Sequence, residues 1–189
     1  MTNLRSRVTD GIVEAVLDEL AEVGFGRLSM DGVARRARAG KAALYRRWPS
    51  KQEMVLDVVT GLSVPAAATV PSDDLVADVT ALVAGVDDWL SDPRMARVLP
   101  DLLAEALRNP ALAAALTDRI GVARRSYGQA VIDTAIARGE VAADVDSEYV
   151  LDLIAAPVFW RICGRREQTG PAYLDRVVDS VLHALGCER

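Results

Sequence analysis

Between Leu75 and Leu90 the apolar side chains Leu75, Val79, Leu82, Val83, Val86 and Leu90 recur three and four positions apart. That spacing lines one face of an α-helix. The same period returns near the start, in Val8, Ile12, Ala15, Val16, Leu20 and Val23, and at the end, in Leu174, Val177, Val178, Val181, Leu182 and Leu185. No segment alternates with the two-residue period of a strand, and no repeat or low-complexity tract interrupts the pattern. With 189 residues, 51% of them apolar, the chain can bury a substantial core. The expected fold class is all-α, with about nine helices.

Punctuation residues set the expected boundaries. Gly24, followed by Phe25, closes the first helix. Ser29 caps a short helix from Met30, with Val33, Ala34 and Ala37 facing inward. A turn through Arg38–Gly40 leads to a second short helix, Lys41 to about Arg47, which buries Ala42, Leu44 or Tyr45. Pro49 ends it. Ser50 and Glu53 have the capping-box spacing and open a fourth helix, Lys51 to about Leu62. "SVPAAATVPS", residues 63–72, has two prolines and no period, and reads as a linker or loose turn. Pro93 stops the next helix, and Pro100 starts or kinks the one after. Asn109–Pro110 opens a helix reaching Arg138, closed by Gly139. Pro157 lies inside the following helix, and Gly170–Pro171 opens the last.

Charge divides the chain unevenly. Residues 1–60 hold ten Lys/Arg against eight Asp/Glu, whereas the remainder holds twelve against nineteen. The positive charge concentrates in "RRARAGKAALYRRWPSK", Arg35 to Lys51, with seven basic side chains and no acidic one. Short helices joined by tight turns ahead of a capped fourth have the layout of a helix-turn-helix, whose second helix enters the major groove of DNA. Lys and Arg there neutralise phosphates and release counterions, which carboxylates would oppose. The rings of Tyr45 and Trp48 are expected in the small domain's core, with the Tyr45 hydroxyl left for a phosphate. Arg5 and Arg7 read as solvated, or as a short arm toward the DNA.

The segment "GFGRLSMDGVARRARAGKAALYRRWPSKQEMV", Gly24 to Val55, resembles the DNA-binding domain of TetR/AcrR transcriptional regulators. Gly24–Phe25 match the pair ending helix 1, Ser29 the start of helix 2, and Ala34 and Ala37 the paired alanines. Leu44, Tyr45, Trp48, Ser50 and Lys51 match the end of the recognition helix and the cap of helix 4. Three positions depart from the family pattern: Arg38 replaces the turn glycine, Gly40 a serine and Ala43 a frequent threonine. An arginine at left-handed angles is strained by roughly 1–2 kcal/mol, so the turn is expected to be shaped differently, using Gly40. Readout then leans on Lys41, Arg46 or Arg47, and on methyl contact from Ala42 or Ala43 to thymine. The DNA-binding set is Ser29, Arg38, Gly40, Lys41, Ala42, Ala43, Tyr45, Arg46, Arg47 and Lys51.

The resemblance implies a division of roles, with residues 1–50 binding DNA and residues 51–189 forming a helical domain that dimerises and encloses an effector. The helix from Lys51 to Leu62 bridges them. "LIAAPVFWRICG" offers Phe159, Trp160 and Arg161 behind Pro157 as pocket candidates, with Trp89, Met95 and Tyr127 beside them. The expected homodimer interface uses Val150, Ile154 and Val158, and Leu174, Val178, Val181, Leu182 and Leu185. The partners expected are double-stranded DNA carrying a palindromic operator, a small-molecule effector and a second copy of the chain. Release of a repressor by effector is the leading reading; an effector-dependent activator and a helical adaptor for an acidic protein share the same residues.

Other chemistry is not expected. His183 and Cys187 are four apart on the last helix, but two ligands do not complete a zinc site, so neither metal nor cofactor is expected. One histidine gives a nucleophile no positioned base, and no enzyme is expected. Two cysteines, Cys163 and Cys187, are too few for a disulfide framework, and no apolar run approaches a membrane span of about 18 residues. A cytoplasmic location follows as an expectation.

Overall fold

The computed structural model describes residues 2–68 and 70–187, with side chains from residue 11 onward except that of residue 66. Among these the helices are α1 (Thr2–Arg27), α2 (Met30–Arg36), α3 (Lys41–Arg47), α4 (Lys51–Ala67) and α5 (Leu75–Ser91). They continue as α6 (Met95–Ala106), α7 (Pro110–Leu116), α8 (Ala123–Ala137), α9 (Ser147–Phe159) and α10 (Pro171–Ala184). A π-helical turn, Thr117–Val122, joins α7 to α8 without a break, and a second, Trp160–Gly164, extends α9. No described residue is in a strand. The all-α class and the count of nine helical rods agree with the helical period of the apolar residues.

By packing, the chain falls into two compact units. The first comprises residues 1–62 and 93–119, the second residues 63–92 and 120–189. In the first, α6 packs along α1 and α2 packs on both α1 and α3. Val16, Leu20, Leu44, Met54, Val98, Leu102 and Leu112 are buried there. In the second, α5, α9 and α10 pack on one another, and α8 packs on α5 and α9. Val79, Val83, Leu90, Ile132, Val150, Val158, Val181 and Leu182 are buried in it.

Caps account for most of the boundaries. Asp74, Asn109 and Asp146 accept the amide three residues on at 2.9, 3.1 and 3.1 Å. The ring at Pro110 or Pro171 removes a first-turn N–H that would have no helical partner. Gly139 closes α8 with φ 74°, which a glycine adopts without penalty.

Two boundary expectations are corrected. Helix α4 does not stop at Leu62 but continues through Ser63, Val64 and Pro65 to Ala67. Pro65 sits in the last turn, where it removes only the bond to the carbonyl of Gly61, an exposed residue that water can serve. The rest of the supposed linker is a built turn: the amide and hydroxyl of Ser72 both donate to the buried Asp78 carboxylate, each at 2.8 Å. The capping box of α4 forms only by half. Ser50 Oγ accepts the Glu53 amide at 3.2 Å, while the Glu53 carboxylate instead meets Arg119 Nη2 at 2.8 Å.

Candidate nucleic-acid interface and effector site

Helix α2 is short, and its position depends on contacts outside itself. Ser29 Oγ accepts the Gly32 amide at 3.0 Å and caps it. Arg36 donates to Glu19 at 2.9 Å and also to Glu22, tying α2 to α1. The hydrogen bond to Glu22 is the largest cause holding that guanidinium above its ordinary pKa. One arginine of the basic run is therefore committed to the fold.

The turn from α2 to α3 differs from the expectation. Arg38 itself adopts left-handed angles, φ 50°, whereas Gly40 is extended, with φ −69° and ψ 134°. The reason is the closure of α2. The Ala39 amide reaches back to the Ala34 carbonyl at 3.0 Å and the Arg38 amide to Arg35 at 3.2 Å. These paired bonds form a Schellman motif, which requires a left-handed residue where Arg38 stands. Its side chain is exposed.

Helix α3 has a buried and an open side. Leu44 is fully buried and Trp48, just past the helix, is 3% exposed, its Nε1 donating to Asp57 at 2.8 Å. Lys41, Ala42, Tyr45, Arg46 and Arg47 are exposed, Ala43 is half-buried, and Gly40 at the N-cap is exposed. Burial on α3 thus falls to Leu44 rather than to Ala42 or Tyr45. The Tyr45 ring, 53% exposed, lies outside the core that it was expected to join. Lys41 Nζ meets Asp31 of α2 at 2.5 Å, and the Arg47 guanidinium lies 4.5 Å from the centre of the Trp48 ring. Arg35, Arg38 and Arg46 make no ion pair among the described residues. The side chains of Arg5 and Arg7 lie outside the described ones.

Lys51, at the start of α4, is bound into the end of α1. Its ammonium donates to the carbonyls of Phe25 and Gly26 at 2.9 and 3.2 Å, and lies 4.7 Å from the centre of the Phe25 ring. This inward tether is invisible in the sequence, where Lys51 is simply the last cation of a basic run.

The sequence pattern described as "Bacterial regulatory proteins, tetR family" matches residues 12–58, covering this whole arrangement. The pattern "Tetracyclin repressor-like, C-terminal domain" matches residues 70–181, more than half of the chain. The chain belongs to the TetR family. An HTH-type transcriptional regulator of Mycobacterium bovis is 32% identical over 92% of this chain and 86% of its own length. A protein of Mycobacteroides abscessus named DNA-binding transcriptional repressor TetR is 28% identical over 92% of this chain and 91% of its own. Among solved structures, GusR of Salmonella enterica has the same fold at TM-score 0.77 and 21% identity, covering 96% of each chain. A TetR-family regulator from Rhodococcus sp. matches at TM-score 0.77 and 18% identity over 95% of this chain and 99% of its own. Like other TetR-family members, this chain is a DNA-binding transcriptional regulator of the helix-turn-helix type. The family is one of regulators rather than of catalysts. No described helix is long and apolar enough to cross a membrane.

Within this TetR-family chain, the expected pocket residues occupy unlike environments. Trp89 is buried in the second unit, and its ring faces the Arg124 guanidinium at 4.6 Å. Met95 is buried in the core of the first unit. Tyr127 and Phe159 are half-buried. Trp160 is 63% exposed, and its ring lies over Gly164, where a Cβ would come within 2.6 Å of it. Arg161 is held by the following loop through Glu167 at 3.0 Å and the Gln168 carbonyl at 3.2 Å, and by the Tyr173 ring of α10 at 4.7 Å. Of the expected interface residues, Val150, Ile154, Val158, Val178, Val181, Leu182 and Leu185 are buried inside a single chain, and Leu174 alone is half-buried. A broad apolar face on α10 serves α5 and α9 of its own chain, so its breadth does not require a partner.

Sequence reasoning passed over Arg124. Its Nη1 donates to the Ser63 carbonyl at 2.5 Å, and no carboxylate pairs with it among the described residues. Burial lowers its pKa to about 10. Nothing in "GVARRSYG" distinguishes Arg124 from Arg125, which pairs with Glu148 and with Asp152 (2.8 Å).

Proposed function

We propose that this regulator binds a palindromic operator as a homodimer and represses transcription until a small-molecule effector releases it. The observation carrying this reading is the two-sided α3: Leu44 and Trp48 anchor it while Lys41, Ala42, Tyr45 and Arg46 face outward together. In the proposed complex Lys41, Arg46 and the methyls of Ala42 and Ala43 read base edges. Tyr45, Arg38, Arg47, Ser29 and the Gly40 backbone meet phosphate, and residues 1–50 serve as the DNA-reading part. Lys51 reaches the same backbone only with the N–H that its two carbonyl bonds leave over.

Dimerisation is assigned to the outer side of α9, where Tyr149, Ala156 and Trp160 are exposed and Leu153 is half-buried, aided by Leu174. These positions recur at helical spacing, as a two-fold helix pair requires. Two recognition helices would then enter major grooves about one turn of DNA apart. Effector binding in the second unit would favour a dimer whose helix spacing no longer fits, and a coupling of about 1–3 kcal/mol changes affinity from several-fold to a hundredfold. Helix α4, continuous from the first unit into the second, is the proposed carrier of that change. The site of action is the cytoplasm, and no catalytic step is involved.

Selecting fragments of source DNA with the purified protein tests this reading. A palindromic fragment preferred over random duplex, bound less tightly by Lys41→Ala and Arg46→Ala, is the expected result. Equal affinity for all duplexes, or both variants binding as the wild type does, overturns it. Candidate effectors then separate a repressor, which loses the fragment on binding them, from an activator, which gains it.

A further inference from the structure

We propose that Ser63, Trp89 and Arg124 form the polar end of the effector site and take the oxyanion of an acidic small molecule with an apolar body. The inference rests on the effector reading above and adds the ligand's chemistry to it.

In the second unit Arg124 touches two other residues whose side chains carry hydrogen-bond donors. Arg124, on α8, stacks 4.6 Å from the ring of Trp89, on α5, and donates at 2.5 Å to the carbonyl of Ser63, on α4. Trp89 Nε1 and Ser63 Oγ are buried, and neither has a hydrogen-bond partner among the described residues. An indole N–H can only donate, and a guanidinium carries five N–H groups and no acceptor. Buried polar atoms in native proteins are nearly always satisfied, so orphaned donors beside an uncompensated cation mark a place that something else completes. A cationic ligand would be repelled. A neutral acceptor would fill the donors but leave the desolvated charge unbalanced, whereas a carboxylate or phosphate supplies both acceptors and charge.

The contrast with Arg125 argues against a structural cation that merely lacks a good neighbour. One position along, Arg125 holds two carboxylates, while Arg124 holds none among the described residues. Hydrocarbon lies against α8 on the side that Gly128 presents to α5 and α9. One turn further on, the side chains of Leu82, Leu151 and Ile154 close on Gly128 so tightly that a Cβ there would sit 2.5 Å from Leu151 Cδ2. An acid with an apolar body suits both features. Because the guanidinium also holds the Ser63 carbonyl, an anion that draws it away releases the last turn of α4, giving ligand occupancy a route into that helix.

The test uses the full chain and four acids or amides on two bodies, octanoate and naphthoate with octanamide and naphthamide as neutral counterparts, together with octyl phosphate. Thermal shift and calorimetry are measured on wild type, Arg124→Met and Arg124→Lys. We expect at least one acid to stabilise the wild type and to bind at least tenfold tighter than its amide. Arg124→Met should bind that acid about ten- to a hundredfold more weakly, with Arg124→Lys in between. The carboxylate and phosphate arms decide which oxyanion is meant. Amides binding as tightly as acids, unimpaired binding by Arg124→Met, or no acid shifting the wild type would each overturn the proposal. An acid that binds through Arg124 yet leaves operator affinity unchanged supports the anion site and removes its role as effector site. A neutral compound that releases operator equally from wild type and Arg124→Met leaves the effector reading standing and overturns the anion site.

Discussion

The backbone amide of Phe25 donates to the carboxylate of Asp101, 76 positions away, at 2.7 Å. The contact repairs a break. Gly24 breaks α1 at φ 75° and ψ 164°, and the single turn that ends the helix, closed by the Leu28 amide on the Gly24 carbonyl at 3.0 Å, starts with an uncapped amide. Asp101 caps it from α6, and Lys51 takes the carbonyls of Phe25 and Gly26 on the other side. The loop ahead of α2 is thus set by side chains of α4 and α6.

Asp101→Ala should lower stability by about 1–2 kcal/mol, because it orphans a part-buried amide. Urea denaturation checks this: the midpoint falls while the slope stays unchanged. Gly24→Ala should cost more, since its Cβ would lie 2.8 Å from Asp101 Oδ1 at a backbone angle that alanine resists.

Arg38→Gly and Gly40→Ser restore two family residues, and both should stabilise the free protein. Glycine relieves roughly 1 kcal/mol of strain at φ 50°. Serine fits at Gly40, where nothing lies within 4 Å of a Cβ and the angles are ordinary; it removes glycine's entropy, worth about 0.4–1 kcal/mol. Thermal melts test the stability. If Arg38 meets phosphate as proposed, Arg38→Gly also weakens operator binding, so its two effects have opposite signs.

Arg46→Ala should weaken operator binding and relax discrimination at the base pair it reads, by about 1–3 kcal/mol, without changing stability. Lys41→Ala should do the same and lose its exposed pair with Asp31, worth less than about 1 kcal/mol. Lys51→Ala should differ, with a fall in stability accompanying any fall in affinity. Affinities for operators altered at single base pairs, beside denaturation curves, separate the three.

Trp160→Ser should shift the protein toward monomer while leaving the protomer folded, because the ring is 63% exposed in the single chain. Sedimentation across concentrations measures it; an unchanged dimer constant would move the interface elsewhere. Val181→Ser, by contrast, should unfold the protomer, since that side chain is fully buried within it.

Arg124 gives a pH signature. Burial holds its folded pKa at about 10, below the ordinary guanidinium range. Between the two the unfolded chain binds more protons than the folded one, so stability rises with pH across that window. Below it both states are protonated and the penalty of the desolvated charge is fully present. Arg124→Met should therefore be more stable than wild type by about 1–2 kcal/mol at neutral pH, with the gap narrowing above about pH 10. A gap that is flat through pH 11 would contradict the desolvation account; the comparison needs only ligand-free denaturation.

The sequence alone determined the helical class, most of the helix ends and the location of the DNA-reading segment. Each depends on local chemistry: an apolar period of three and four, a cap oxygen three residues before the amide it accepts, a proline without an N–H. Gly24, Ser29, Ser50, Asn109 and Gly139 act within a turn of themselves, so their neighbours along the chain suffice. Only the tertiary structure decided what each long side chain does. Lys51 and Arg36 look like Arg46 in the sequence, yet two are tied into the fold and one is open, because their partners come from other helices. Arg124 and Arg125 are adjacent and alike, and placement beside Trp89 and Ser63 rather than Glu148 and Asp152 leaves one a half-buried cation without a carboxylate among the described residues. The apolar face of α10 likewise gave no sign that α5 and α9 would cover it. Burial and charge pairing are summed over everything folded around a residue, and a linear order of residues does not contain that sum.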